Sequence, residues 1–583
     1  MSNARYGSDL IVDLLNHYGI RYASLNPGSS FRGLHDSIVN YAGNRPEIIE
    51  CPHEKIAVGI AHGYGKVTTG APMVAILHNV VGLLQGTMGI YQAYMDRAPV
   101  IVLGATGPME GGARRPRIDW DHTALVQGNV VRDYVKWDDQ PFGAEAVVES
   151  FARAYRVALT EPQGPVYICY DVSFQEQELT RHVSLPDPAR ARLYSPMQAD
   201  ADALEKAGEW LCEAERPVIV ADLVGRNPNS VPVLVDLAEL LAAPVVDYNG
   251  RFNFPNRHPL WCMSREPLRE ADCVLLVDAR DPFGYLTEVD MFRRETRRIV
   301  PDRCRIIELG VGDLGIQGWS QQYQRFQEVD LSVLADTRVA LPALVATCRE
   351  RVARGGLPTG ASACNREQRT EYWGKRHEGN RRRWLEEARA DWDTKPMTTA
   401  RLASELWEAI QGRDWVLTAN TLRDWTRKLW DFDRPYRHAG KDLGTATQIG
   451  IGLGIALAYK GSGKLVVDIQ PDGDLMFDLS ALWVAAHHEI PMLVVMFNNR
   501  AYYNDWEHQI KIARERDRDE KMAYLGLEID RPAPDFAGVA RSLGWYAEGP
   551  IDDGNQVRAA VERAIRVVEE GRPALVDCVT RFR

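Results

Sequence analysis

Residues 465–499 read LVVDIQPDGDLMFDLSALWVAAHHEIPMLVVMFNN. An apolar run, LVVDI, is followed by a turn, Pro471-Asp472-Gly473-Asp474. A helically spaced stretch comes next, and then a second apolar run, MLVVMF, that closes on Asn498-Asn499. Continuous apolar runs of this length, separated by helical patterns, predict parallel strands buried on both faces. A carboxylate then stands at the carboxyl end of one strand and two amides at the end of the next. In a parallel sheet those ends lie side by side, where ligands bind. Asp-Gly and Asn-Asn also make ordinary turns. Two such turns at the ends of neighbouring strands favour instead an oxygen-ligand site for a hard cation with a diphosphate. The helix opening at Asp474 can aim backbone N–H groups at a phosphate.

The same alternation extends in both directions. Runs at Met73–Leu77, Val100–Leu103 and Val166–Cys169 predict one parallel sheet. Those at Pro217–Ala221, Pro244–Asp247, Cys273–Asp278 and Arg305–Leu309 predict a second. Trp415–Thr418, Lys464–Ile469, Met492–Phe497 and Ala574–Val579 predict a third. The chain therefore reads as three tandem doubly wound α/β domains: 1–184, a central domain 197–350, and 396–583. The polar stretch Leu185–Pro196 and the Arg- and Gly-rich segment 351–395 read as linkers, the latter helical around Arg381–Ala390.

A chain of 583 residues exceeds what one core supports. Its 45% apolar and 26% charged residues are those of a soluble globular protein. A net charge of −11 gives no footing for nucleic acid, and no run reaches the length of a membrane helix. The amino terminus reads into an amphipathic helix rather than a signal peptide. Nine scattered cysteines without a CxxC pair predict free thiols and a cytoplasmic location.

Two glycine motifs fail as nucleotide signatures. Gly461-Ser462-Gly463-Lys464 lacks the following Ser or Thr of a P-loop and has Ala458 at its first glycine position. Gly450-Ile451-Gly452-Leu453-Gly454 has its third glycine one residue early and no strand before it.

Asp472-Gly473-Asp474…Asn498-Asn499 resembles the signature of the thiamine-diphosphate-dependent enzymes, with Pro471 where that family has Gly and Asp474 where many members have Ser. The resemblance implies that Asp472, the Asn499 side chain and the Ala501 carbonyl ligate Mg²⁺, with Gly473 and Asp474 beside the diphosphate. A second resemblance is the segment His53–Tyr64, similar to the family's E-x-x-A-x-x-x-A-x-G-Y/F pattern. It implies that Glu54 hydrogen-bonds the aminopyrimidine ring and promotes deprotonation of the thiazolium carbon. Leu77–Gly82 is similar to the segment that carries an active-site histidine in decarboxylases. Gly450–Gly454 resembles the region that makes Ile449 the apolar wedge under the cofactor.

The resemblance spans the chain and names its domains pyrimidine-binding, central and diphosphate-binding. It implies a homodimer or homotetramer with active sites at the subunit interface. Candidate substrate groups are Ser29, His78, His122 and Asp505. The charged run after Asp505 reads as a solvated helix or a lid. The function expected is a lyase or decarboxylase acting on a small carbonyl substrate, a 2-oxo acid or 2-hydroxyacyl-CoA. The alternatives are an acetohydroxyacid-synthase-like carboligase, a flavin-linked 2-oxo acid oxidase and a non-catalytic cofactor-binding subunit. The central domain could hold FAD, ADP or CoA.

Overall fold

The computed structural model describes residues 4–582 except 188, 189, 191, 291, 316–324, 355–362, 420, 421, 441–443, 445 and 446. Three parallel sheets follow one another along the chain. The first contains β1 (Tyr22–Leu25), β2 (Glu47–Glu50), β3 (Met73–Ile76), β4 (Val100–Thr106), β5 (Trp137–Asp139) and β6 (Val166–Asp171), in the order β2-β1-β3-β4-β6-β5. The second contains β7 (Pro217–Ala221), β8 (Val245–Asp247), β9 (Trp261–Cys262) and β10 (Cys273–Val277). After a small antiparallel hairpin, β11 (Thr287–Asp290) and β12 (Glu295–Arg298), it is completed by β13 (Arg305–Gly310) and β14 (Leu331–Leu334), giving β14-β13-β10-β7-β8-β9. The third contains β15 (Trp415–Leu417), β16 (Leu465–Pro471), β17 (Leu493–Asn498), β18 (Tyr546–Ile551) and β19 (Ala574–Val579), in the order β15-β16-β17-β19-β18. All eleven strands anticipated from apolar runs are present. The strands not anticipated, β1, β2, β5, β9, β14, β18 and the hairpin, are short or interrupted by polar residues.

The first and third sheets are remote in sequence but share one apolar cluster, which includes Ile56, Ile60 and Leu83 together with Ile449, Ile451 and Leu475. Its centre is a crossing of two helices, Glu54–Val67 and Gln448–Tyr459. Glycines permit the approach. A Cβ on Gly63 would lie 2.0 Å from the Ile451 carbonyl oxygen, and one on Gly454 would lie 2.0 Å from that of Ile60. The glycine-rich run rejected as a nucleotide loop is thus a helix-packing surface.

The segment 351–395 is more ordered than a linker with one helical patch. Ala363–Ala388 is a continuous helix, and residues 355–362 lie outside the described set. Its charges masked an inward face: Trp373, His377 and Trp384 recur at helical spacing, and both tryptophans pack on the core of the second sheet.

Candidate active site

Strands β16 and β17 are parallel neighbours with Pro471 opposite Phe497, so the Asp472 and Asn498-Asn499 ends adjoin. Asp472 is 2% exposed and its Oδ2 has no hydrogen-bond partner. The backbone N–H groups of Gly473, Arg500 and Ala501 face its carboxylate, yet burial dominates and pushes the acid up to about 6. A buried carboxylate oxygen lacking a donor suits a cation. The Asn499 Oδ1 accepts a 3.0 Å hydrogen bond from the Ala501 N–H, which fixes the amide and leaves its oxygen a second lone pair. Among the described residues no group of three or more His, Cys, Asp or Glu could hold a metal alone. One carboxylate with amide and carbonyl oxygens is the arrangement in which Mg²⁺ draws its remaining ligands from phosphate and water. The residues therefore fit a magnesium-held diphosphate. Gly473 lies under the Tyr502 ring, which a Cβ would meet at 2.6 Å.

Asp474 turns toward the start of a neighbouring helix. Its Oδ2 lies 3.4 Å from both the Gln448 backbone N and the Gln470 Nε2, placing negative charge at the amino end of the Gln448–Tyr459 helix. The Gln448 side chain is anchored in turn: Nε2 donates to Asp468 Oδ1 at 2.6 Å and to the Ile469 carbonyl at 2.7 Å. Ile449, next in sequence, is fully buried.

Glu54 begins the helix that crosses this one. It is 6% exposed, with His53 as the N-cap accepting from the Lys55 N–H. Lys55 Nζ pairs at 3.0 Å with Asp478, just beyond the Asp472–Leu475 turn, and Glu50 N donates to His488 Nε2 at 2.8 Å. A single chain thus brings Glu54, Ile449 and the Asp472 turn into one region.

The histidine lies on the other side of Glu54. A Cβ on Gly82 would be 2.9 Å from Glu54 Oε1 and 2.9 Å from His78 Cβ, so only glycine separates the two side chains. His78 also packs on Gly28, where a Cβ would meet its ring at 2.8 Å. These loops follow β1 and β3, where the order of the first sheet reverses, the usual ligand-binding switch point. The serine that touches His78 is Ser30: its Oγ lies 2.7 Å from Nδ1, and the Asn79 N–H donates to the same oxygen at 3.2 Å. Ser29, expected in that role, is exposed, because the Ser29–Phe31 turn directs its neighbour inward. Burial, aided by His122 and Arg115, holds His78 below the usual imidazole range. The His78 and His122 rings are 5.3 Å apart, edge to face. Asp505 is exposed on the first turn of the helix Tyr503–Glu515, of which only Ala513 is buried. Tyr503 of that helix stacks on Phe582 at 4.7 Å.

Sequence reasoning missed Ser30, Lys55–Asp478, Gln448, Asp468 and Tyr502. Ser30, Lys55, Gln448 and Tyr502 adjoin identified residues and could have been suspected; Asp468 and Asp478 show only once the chain is folded.

Comparison with known proteins supplies a matching pair of family models. Residues 5–122 match the thiamine pyrophosphate enzyme N-terminal TPP-binding domain, and residues 420–578 match the C-terminal TPP-binding domain. Sulfoacetaldehyde acetyltransferase of Castellaniella defragrans is 23% identical over 92% of this chain and 87% of its own length. Glyoxylate carboligase of Escherichia coli O157:H7 is 24% identical over 92% and 87%. The structure of benzoylformate decarboxylase from Polynucleobacter necessarius superposes with a TM-score of 0.75 at 16% identity, covering 100% of this chain and 99% of that one.

Proposed function

This chain belongs to the thiamine-pyrophosphate-dependent enzymes, and on that premise we propose that it is a lyase or decarboxylase cleaving the carbon–carbon bond beside the carbonyl of a 2-oxo acid or 2-hydroxyacyl-CoA. The observation that carries this reading is the single-glycine gap at Gly82, which holds Glu54 and His78 against each other beside the crossing that delivers Ile449 and Asp472. When bound, thiamine pyrophosphate supplies a carbon nucleophile and a cationic ring that takes up the electrons of the broken bond.

The residues' roles follow from their surroundings. Asp472, the Asn499 amide and the Ala501 carbonyl would hold Mg²⁺, with Gly473 leaving room for phosphate oxygens and Asp474 fixing the neighbouring helix. Glu54, buried on an otherwise apolar helix face, would exchange a proton with the aminopyrimidine ring. Ile449 would support the cofactor from within the core. Ser30 accepts from Asn79, which frees its hydroxyl proton for His78 Nδ1. The imidazole proton then stays on Nε2, where a neutral His78 donates a hydrogen bond to a substrate carbonyl or carboxylate. His122 adds a second polar edge. Asp505, exposed on a helix with little burial, would relay protons to the product side.

Supporting context is of three kinds. The curated relatives named above include a carboligase and an acetyltransferase, so the carboligase is the competing reading. A nucleotide in the central domain has least support: Arg280 is bound bidentately by Asp222, and Asp278 accepts from Thr337, so the groups at those strand ends satisfy one another. A homodimer or homotetramer with active sites at the subunit interface is the assembly that the family resemblance implies. No described helix is long and apolar enough to cross a membrane, and the eight described cysteines are free thiols, which favours the reducing cytoplasm.

The test is product analysis with a panel of 2-oxo acids in the presence of thiamine pyrophosphate and Mg²⁺. Release of carbon dioxide and an aldehyde supports the lyase, a coupled hydroxy-ketone product supports the carboligase, and no turnover of any carbonyl compound removes both. Glu54→Gln should fold normally and lose at least about 10²-fold in turnover. Normal exchange of the cofactor's C2 proton in that variant would contradict the role of Glu54.

A further inference from the structure

Where the three domains meet lies a cavity of about 90 Å³, remote in sequence from the groups just described and lined by Lys66, Arg97, Glu161, Arg226, Arg251 and Arg338. Most of its charges are matched. Lys66 and Arg251 both pair with Asp96. Arg226 reaches Glu161 at 2.8 Å and Asp278 at 3.3 Å, and Arg338 reaches Asp336 at 2.6 Å. Behind them Arg280 is held by Asp222. Arg97 is the exception: it is 7% exposed, and among the described residues no carboxylate lies within ion-pairing distance of it. Its Nη1 is buried with no hydrogen-bond partner, and so are the Nε atoms of Arg226 and Arg251. Three buried guanidinium nitrogens without acceptors around one cavity are costly, because each forfeits its hydration without replacement. Burial first, and then the neighbouring Arg226 and Arg280, lower the Arg97 guanidinium from its ordinary value, against the opposing pull of Asp278 and Glu161.

We propose that this junction binds a small tetrahedral oxyanion of the phosphate class, which accepts from Arg97, Arg226 and Arg251 and locks the first and second domains together. The volume excludes a nucleotide, since pockets for ligands of that size start at about 300 Å³. Guanidinium groups are suited to it, because their planar N–H forks match the spacing of phosphate oxygens. The position gives the ligand a consequence: Arg97 belongs to the first domain, while Arg226 and Arg251 belong to the second. Occupancy therefore stabilises the docked arrangement by mass action.

The test is thermal unfolding of the full chain saturated with thiamine pyrophosphate and Mg²⁺, so that the diphosphate site is blocked. Inorganic phosphate is titrated at constant ionic strength against chloride. The expected result is a saturable rise in melting temperature, with phosphate affinity weakened by about tenfold or more in Arg97→Met and thiamine pyrophosphate affinity unchanged. A rise that is linear and equal in both proteins is a general salting effect and overturns the proposal; so does no rise at all. Should Arg97→Met not fold, Arg97→Lys, which keeps the charge and loses the planar fork, should fold and bind phosphate several-fold more weakly. Unchanged affinity there overturns the proposal equally.

Discussion

Replacing Gly454 with alanine tests whether the crossing of the Glu54 and Gln448 helices sets the site. In an open helix position the change should stabilise by about 1 kcal/mol, because alanine loses less backbone entropy than glycine. Here the new Cβ would fall 2.0 Å from the Ile60 carbonyl oxygen, 2.7 Å from the Tyr64 N and 2.9 Å from the Gly63 Cα. Ordinary contact begins near 3.4 Å, and all three atoms are backbone, so no rotamer can yield. The helices must part by more than an ångström. Overpacking of this kind costs about 1–3 kcal/mol and outweighs the propensity gain. The larger effect is on chemistry: parting the helices moves Glu54 away from Ile449, and misplacement by about 1 Å can cost about 10²-fold in rate. Gly63→Ala should behave alike, its Cβ meeting the Ile451 carbonyl at 2.0 Å. Gly452→Ala is the control on the same helix, because its Cβ would meet only side-chain ends, Asp468 Oδ2 at 3.3 Å and Met492 Cε at 3.4 Å. Urea midpoints, cofactor titration by tryptophan fluorescence and turnover are the assays. If Gly454→Ala matched Gly452→Ala in stability and turnover, the crossing would not be what positions the site.

Two further outcomes follow from the polar groups. Burial raises Asp468, Asp472 and Asp577 to about 6 from an ordinary value of 3.8. The folded apoprotein then holds these protons more tightly than the unfolded chain. Their contribution to stability is full below about pH 4 and is lost as pH rises through about 6. Magnesium-dependent cofactor binding has the opposite sign, since the metal competes with the Asp472 proton, and should weaken by about tenfold from pH 7 to pH 5; equal affinity at pH 5 and pH 7 would rule this out. Ser30→Ala should lower kcat/KM by up to about tenfold through loss of one hydrogen bond to His78, leaving cofactor affinity intact. An equal loss in Ser29→Ala with none in Ser30→Ala would show that the wrong serine has been assigned.

Much of this architecture was legible because parallel strands buried on both faces must be continuously apolar. Strands β3, β4, β6, β16, β17 and β19 announce themselves this way. Glu54 was legible because it opens a run of glycines and alanines that resembles a family pattern, and Asp472 because it stands at the end of an apolar strand beside one that closes on Asn498-Asn499. Ser30 was not: two adjacent serines are equivalent on paper, and only the turn geometry turns one inward. The 26-residue helix Ala363–Ala388 was hidden by its charges, since its tryptophans are too sparse to stand out from the polar majority. The arginines of the junction cavity come from residues 97, 226 and 251, and no local pattern links positions so far apart.

The shared cluster of the first and third sheets also bears on how the chain is made. Gly59 emerges from the ribosome roughly 400 residues before Gly450, against which it packs. At synthesis rates of about 5–20 residues per second, the apolar face of the Glu54 helix waits some tens of seconds for its partner. Throughout that interval the nascent protein presents a greasy, unfinished surface, so a chaperone that shields it should raise the yield of native enzyme more than one acting after release.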